Sequence, residues 1–266
     1  MPLTIPSLSL GLGGASLASQ IAGLFAQGEV GAWYDPSDIA TLFQDSAGTT
    51  PVTATGQPVG KILDKSGRAN HATQATAASR PVLQQDATGR YYLDFDGVDD
   101  SLATASIDFT GTDKMTVWAG VRKNSDAAGG VVVELSATTA SNNGSFSIFA
   151  PASASPSLLF QSKGTVLANA IAATGYTAPI TVVITGQGDI SNDSSILRAN
   201  AVQAATNVAD QGTGNYGNYP VYIGARGGTS ARFNGRIYAL IVRGAASNAA
   251  QVATGESYAN SMTGAY

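Results

Sequence analysis

Apolar and polar residues alternate with a period of two along much of this chain. In Met115–Val121 (MTVWAGV) the residues Met115, Val117, Ala119 and Val121 fall on one side, the pattern of a strand with one buried face. Tyr91, Leu93 and Phe95 repeat it, as do Ile180, Val182 and Ile184. Val131–Leu135 (VVVEL) is a short buried-looking run. Ser145–Phe149, Ser157–Gln161, Ala168–Ala172, Ser195–Ala205, Val221–Ala225 and Arg236–Val242 extend the series, with Gly, Asn, Asp and Ser between them. Many short strands with turn residues between them predict an all-β antiparallel sandwich. Two segments carry a helical pattern instead. Leu17, Ile21, Leu24 and Phe25 share one face of a helix predicted over 15–27. Ser247–Tyr258 reads as a closing helix with Ser247 or Asn248 as its N-cap.

The remaining stretches divide the chain. Residues 1–13 (MPLTIPSLSLGLG) look extended, since Pro2 and Pro6 oppose helix, and Leu3, Ile5, Leu8 and Leu10 have no evident core of their own. Residues 1–28 therefore read as an attachment or oligomerisation arm, with Leu17, Ile21, Leu24 and Phe25 as its assembly face. The alternative is that this face packs back on its own domain. Residues 29–266 read as one β domain. Within it, 28–90 is rich in turns, with Trp33-Tyr34 beginning a strand and Asp35-Pro36-Ser37-Asp38 turning after it.

Composition narrows the class. The chain has 266 residues, 44% of them hydrophobic, enough for a large core, and only 12% charged, with a net charge of −4. Its 14 Lys and Arg are scattered, none before Lys61, which argues against a nucleic-acid face. There is no cysteine, hence no disulfide and no thiolate metal site. The apolar N-terminus lacks the basic region of a secretory signal, and no apolar run approaches the length of a membrane span, so membrane insertion is not expected.

Three groups of residues are candidates for chemistry. After Phe95 the strand breaks at Asp96-Gly97, and Asp96, Asp99 and Asp100 crowd together. They form either a self-capping turn or an oxygen ligand set for Ca²⁺, the one metal entertained; no other cofactor is expected. Tyr216, with Asn215 and Asn218, stands in a Gly/Asn-rich loop as a candidate glycan platform, against ordinary turn and core packing. His71 is the lone histidine and supports neither a zinc site nor a Ser–His–Asp triad. Trp33 and Trp118 read as core residues.

Several motifs resemble one family. Phe95-Asp96-Gly97-Val98-Asp99-Asp100 is similar to the signature of laminin-G-like, concanavalin A-like jelly rolls. Asp64-Lys65-Ser66-Gly67-Arg68-Ala69-Asn70-His71 resembles an upstream turn of those domains. Tyr222-Ile223-Gly224 and Phe233-Asn234-Gly235-Arg236-Ile237-Tyr238 resemble their closing hairpin. The resemblance implies an antiparallel jelly roll, here with a short N-terminal helix and a C-terminal one. Trp33–Asp38 and Val59-Gly60-Lys61 add a narrower similarity, to the laminin-G-like proteins of tailed bacteriophages. That implies a non-enzymatic virion structural protein, at a tail fibre or baseplate, whose lectin-like domain contacts host surface polysaccharide. Capsid decoration is the alternative, and a glycan-degrading enzyme the second. The implied partners are other virion proteins and sister chains in a homo-oligomer, with a trimer the usual state of phage fibres. Related glucanases carry a Glu-x-Asp-x-x-Glu strand. The three glutamates here, Glu29, Glu134 and Glu256, stand far apart and do not reproduce it.

Overall fold

The computed structural model describes residues 15–266. Leu3, Ile5, Leu8 and Leu10 lie outside the described residues. Two antiparallel sheets face each other across a common apolar core. With strands numbered along the chain, the first sheet holds β1 (Gly31–Tyr34), β5 (Val82–Gln85), β6 (Tyr91–Asp96), β8 (Lys114–Lys123), β13 (Ile180–Asp189), β14 (Ser194–Ala199), β15 (Val202–Asn207) and β17 (Asn234–Arg243). Its order is β15-β14-β13-β8-β17-β6-β5, and β1 continues the β6 side of β17. The second sheet holds β2 (Leu42–Phe43), β3 (Lys61–Ile62), β4 (Ala72–Thr73), β7 (Leu102–Asp108), β9 (Val131–Leu135), β10 (Ser145–Phe149), β11 (Leu158–Lys163), β12 (Leu167–Ala172) and β16 (Asn218–Ile223). Its order is β12-β11-β10-β9-β16-β7-β4-β3-β2. The chain is thus the expected all-β sandwich with one helix near each end.

Most of the period-two residues line the core; Ile180, at the start of β13, stays half-buried at its edge. Met115, Val117, Ala119 and Val121 of β8, Val182 and Ile184 of β13, and Leu93 and Phe95 of β6 all point between the sheets. The expected strand Ser195–Ala205 is instead the hairpin β14–β15. Asn200 and Ala201 turn the chain with φ of 49° and 61°. Asparagine tolerates this left-handed region, and the Asn200 side chain accepts the Val183 N–H at 3.0 Å, which holds the turn against β13.

Thr116 and Trp118 alternate onto the outer face of the first sheet and are nevertheless fully buried. The cover is α2 (Ala249–Thr263) together with α1 (Leu17–Gly23). Asn248 and Gln251 form a reciprocal capping box at the start of α2, and Gly264, at φ 61°, ends it. Gly255 faces the Trp118 indole, where an added Cβ would lie 2.5 Å from ring atoms. A mid-helix glycine costs about 1 kcal/mol against alanine; here it lets the helix approach the tryptophan.

The face of α1 expected to serve assembly is used inside the chain. Ile21, Leu24 and Phe25 are buried, and Leu17 half-buried, among Trp33, Trp118, Ile241 and Tyr258. Arg243 Nε donates to Leu24 O at 2.8 Å, and Arg68 Nη2 donates to Phe25 O at 2.5 Å. Residues 15–28 are therefore packed onto the β domain rather than projecting from it. The reason is that β8 and β17 present large apolar groups outward that α2 alone does not cover.

Candidate functional site

The acidic turn folds as a unit. The carboxylates of Asp96, Asp99 and Asp100 offer oxygens within 4.8 Å of one another. Much of their bonding is local. Asp96 Oδ1 accepts the N–H groups of Val98 at 2.7 Å and Asp99 at 3.2 Å, and Asp100 Oδ2 accepts Asp96 N–H at 3.1 Å. Ser79 Oγ donates to Asp99, and Arg232 Nη1 donates to Asp99 O at 2.6 Å. These bonds occupy Asp96 Oδ1, Asp99 Oδ2 and Asp100 Oδ2 in turn formation; a calcium ion would draw on the remaining carboxylate oxygens, with backbone carbonyls or water, to reach its six to eight ligands.

Burial pushes the Asp100 carboxyl up to about 6, against an ordinary 3.8; the charges of Asp96, Asp99 and Asp94 add to the rise, while the Asp96 N–H opposes it. Its proton is thus held more tightly in the folded than in the unfolded chain. The sign follows: this group favours the fold at low pH and loses that contribution as pH rises through about 6. Asp100→Asn is expected to unfold at a higher temperature than wild type near pH 7, an advantage that fades towards about pH 4. Calorimetry at the two pH values checks this, and an equal difference at both would refute it. Calcium added near pH 7 separates the two readings of the cluster. Stabilisation of wild type but not of Asp100→Asn would mark a ligand set, and none in either would mark a turn.

The candidate glycan platform is not assembled as expected. Tyr216 is fully buried, its hydroxyl 2.7 Å from Ser162 Oγ and its ring edge-on to Phe146. Burial pushes its pKa up. Asn215 and Asn218 are exposed, but Asn215 Nδ2 is bonded to Thr110 O at 2.6 Å. Tyr216 is drawn inward because Gly188 of β13 leaves room: a Cβ there would lie 2.1 Å from the tyrosine oxygen. Asn215 and Asn218 remain at the surface, and the ring beside them is that of the half-buried Tyr219, packed over Gly217.

The structure forms a different concavity. Beside α2, the outer face of β13 and β14 carries two adjoining cavities of about 190 and 260 Å³ that share Gln187. Ile196, Ala249, Val252 and Ala253 give the groove apolar surface, and Gln187, Ser194, Arg198, Ser247 and Glu256 give it polar groups. Arg198 forks onto Glu256, with Nε–Oε1 at 2.7 Å and Nη2–Oε2 at 3.2 Å, and Thr185 Oγ1 donates to the same carboxylate at 3.1 Å. Sequence reasoning missed these residues. Gln187 and Arg198 are outward positions of ordinary alternating strands, and Glu256 lies far along the chain.

The glutamates are each tied to an arginine: Glu29 to Arg243 at 2.7 Å, Glu134 to Arg226 at 3.2 Å, and Glu256 to Arg198 at 2.7 Å. Glu29 precedes β1, Glu134 lies on β9, and Glu256 on α2, so no two form a pair. Burial pushes Glu29 up, but backbone hydrogen bonds and Arg243 outweigh it and hold the carboxyl below its usual value. No helix among the described residues is long and apolar enough to cross a membrane.

No protein-family model and no curated protein sequence matches the chain. Solved structures do. Domain 4 of AbnA, a GH43 extracellular arabinanase from Geobacillus stearothermophilus, in complex with arabinotriose, is similar at a TM-score of 0.58 and 11% identity, over 86% of this chain and 98% of that one. Botulinum neurotoxin type C, whose cell entry depends on interaction with two ganglioside molecules, gives 0.54 and 12%, over 76% and 48%. The binding domain of Paraclostridial Mosquitocidal Protein 1 gives 0.54 and 14%, over 76% and 49%. This chain thus spans about half the length of the two toxin chains. At such identities the likeness establishes a common architecture, the antiparallel β-sandwich of jelly-roll type.

Proposed function

We propose that this protein is a non-catalytic glycan-binding module and a structural component of a bacteriophage particle, carried on a tail fibre or baseplate and contacting polysaccharide of the host surface. The observation that carries the binding reading is the groove beside α2. Its apolar wall suits the C–H face of a sugar ring, and a few convergent polar groups suit its hydroxyls. The groove lies between a sheet and a packed helix, so it is formed before a ligand arrives. Structural similarity to an arabinanase domain in complex with arabinotriose supports the same class of ligand. The three arginine-bound glutamates favour binding over hydrolysis, which needs a free acid and a partner carboxylate across the bond. The phage part of the reading rests on the Trp33–Asp38 and Val59-Gly60-Lys61 resemblance.

Two variants test the groove. Gln187→Ala removes an amide from its wall, and Ala253→Tyr fills it from an exposed position on α2. Saturable binding to host polysaccharide or arabino-oligosaccharide is expected to weaken about tenfold in the first, the loss of one or two ligand hydrogen bonds, and to vanish in the second at unchanged melting temperature. Undiminished binding in both sinks the groove, and no binding by wild type to any host glycan sinks the function. Immunogold microscopy of particles tests the location. Label at the tail tip supports it, and label over the head makes the protein a decoration protein.

A further inference from the structure

The geometry points to a second binding site on the same sheet, for the carboxylate of an acidic sugar, formed by Arg122 and Arg236. Its acidic-sugar ligand rests on the glycan-binding reading, whereas its anion specificity stands on the arginines themselves.

Arg236 of β17 pairs in register with Arg122 of β8 on one side and with Asp94 of β6 on the other. All three point outward, because their neighbours Ile237, Val121, Leu93 and Phe95 point into the core. The C-terminal end of α2 reaches only Gly120, where Thr263 packs, so the strip two residues further along β8 is left half-buried and open. Like charges directly opposite on neighbouring strands are destabilising. This pair is also the least satisfied of the nine arginines. Arg68, Arg80 and Arg232 donate to backbone carbonyls, and Arg90 to the Thr88 hydroxyl. Arg198, Arg226 and Arg243 hold glutamates. Arg122 has only the Thr181 hydroxyl at 3.4 Å. Arg236 pairs with no carboxylate and has only the neighbouring Tyr238 hydroxyl, and its Nε is sealed from solvent without a partner.

The surroundings define what would satisfy them. The Arg236 guanidinium lies over the Tyr92 ring, 4.4 Å from its centroid, and Tyr92 leans on Tyr238 at 5.2 Å. Stacking uses the flat face of the guanidinium, and with Nε sealed the edge left to a ligand is the terminal one of Nη1 and Nη2, which can match a planar carboxylate with two parallel hydrogen bonds. Asp94 forms no ion pair with either arginine, and burial pushes its carboxyl up further than Arg236 pulls it down. Asp86, behind the Tyr238 hydroxyl, is offset by Arg90, so even with Asp94 charged the two guanidiniums leave one positive charge. That balances a singly charged uronic-type carboxylate better than a doubly charged phosphate. Tyr92 and Tyr238 are too buried to stack on a sugar ring, so the site grips the acid group and leaves the ring to solvent.

The test titrates the full chain with polygalacturonate, glucuronate, neutral dextran, acetate and inorganic phosphate, by calorimetry and by melting temperature. Wild type is expected to bind the acidic polymer and glucuronate, acetate more weakly, and phosphate no better than acetate, with affinity falling as salt rises. Arg122→Gln and Arg236→Gln are each expected to weaken the acidic ligands about tenfold or more, since hydrogen bonds to charged groups are the strong ones. Neutral-glycan binding at the α2 groove should not change. Arg122→Gln should also melt no lower than wild type without ligand, because it removes a like charge; a merely structural arginine would lower it. Arg236→Lys keeps the charge but loses the fork, and should bind as weakly as the glutamine variant. Equal binding of acidic and neutral polymers by wild type, or unchanged binding in both glutamine variants, overturns the site while leaving the groove standing. Binding of acetate and phosphate but of no saccharide would keep an anion site and overturn the acidic sugar as its ligand.

Discussion

Replacing Asp64 by alanine is expected to destabilise the protein by about 4 kcal/mol, near the upper limit for one substitution, and to lower its melting temperature by roughly 10 °C for a domain of this size. Asp64 is nine-tenths buried. Its Oδ1 accepts the N–H groups of Trp33 at 2.9 Å and Ser66 at 2.8 Å; its Oδ2 accepts Ser66 Oγ at 2.7 Å and Asn70 N–H at 3.0 Å. Alanine leaves three backbone donors without their acceptor, at roughly 1–3 kcal/mol for each that stays buried. The loss is not local. Asn70 Nδ2 donates to Gly31 O at 2.7 Å, and Lys65 pairs with Asp35 at 3.0 Å and Asp38 at 2.7 Å. The turn therefore clamps β1, and with it the tail of α1, to the rest of the sandwich. Asp86→Ala is the control. Asp86 accepts from Thr88 and Arg90 in much the same way, but in an exposed turn joined to β17 by the long bond from the Tyr238 hydroxyl at 3.5 Å, and a fraction of the effect is expected. Equilibrium denaturation of the two variants decides it: equal small losses would show that the Asp64 turn is no clamp.

Trp118→Ala is expected to cost about 3–5 kcal/mol, as for other fully buried aromatic residues, and to loosen α2 before the sheets. Trp118 fills the space between β8 and α2, and its Nε1 donates to Val252 O at 3.2 Å. Gly255 gives the helix its close approach to that ring, so the cavity left behind has no neighbouring side chain to refill it. The remaining tryptophan reports on the same place, because Trp33 Nε1 donates to the Tyr258 hydroxyl of α2 at 3.1 Å with the rings edge to face. Hydrogen exchange should quicken over Ala249–Thr263 and Leu17–Gly23 while β9 and β10 stay protected. Uniform exchange, or a loss under about 1 kcal/mol, would mean that the helices are incidental to the fold.

The turns were legible where the chain satisfies itself locally. Asp-Gly after Phe95, the Asp64–His71 motif and the Asn248 cap each place an acceptor within a few residues of the N–H it takes, so the residue types announce the conformation. Tyr216 shows the opposite. Its loop reads as exposed, and only the glycine on a strand 28 positions earlier makes the space that draws the ring inward. The face of α1 was also correctly recognised as apolar. Its partner was not, because the groups it covers, Trp118 and Ile241, lie on strands distant in sequence.

The sequence by itself determined the fold class, most of the longer strands and most of their inward residues, because a period of two leaves one face apolar whatever surrounds it. It also determined that no glutamate pair stands at glucanase spacing. Tertiary structure alone decided which outward faces meet water. Helices on the first sheet buried Trp118, the edge of α2 made a groove of Gln187, Arg198 and Glu256, and the end of α2 left Arg122 and Arg236 uncovered. Such sites join residues tens to more than a hundred positions apart, and their character depends on which neighbours arrive. Alternation along a strand records which side faces the core, but not what lies against the other.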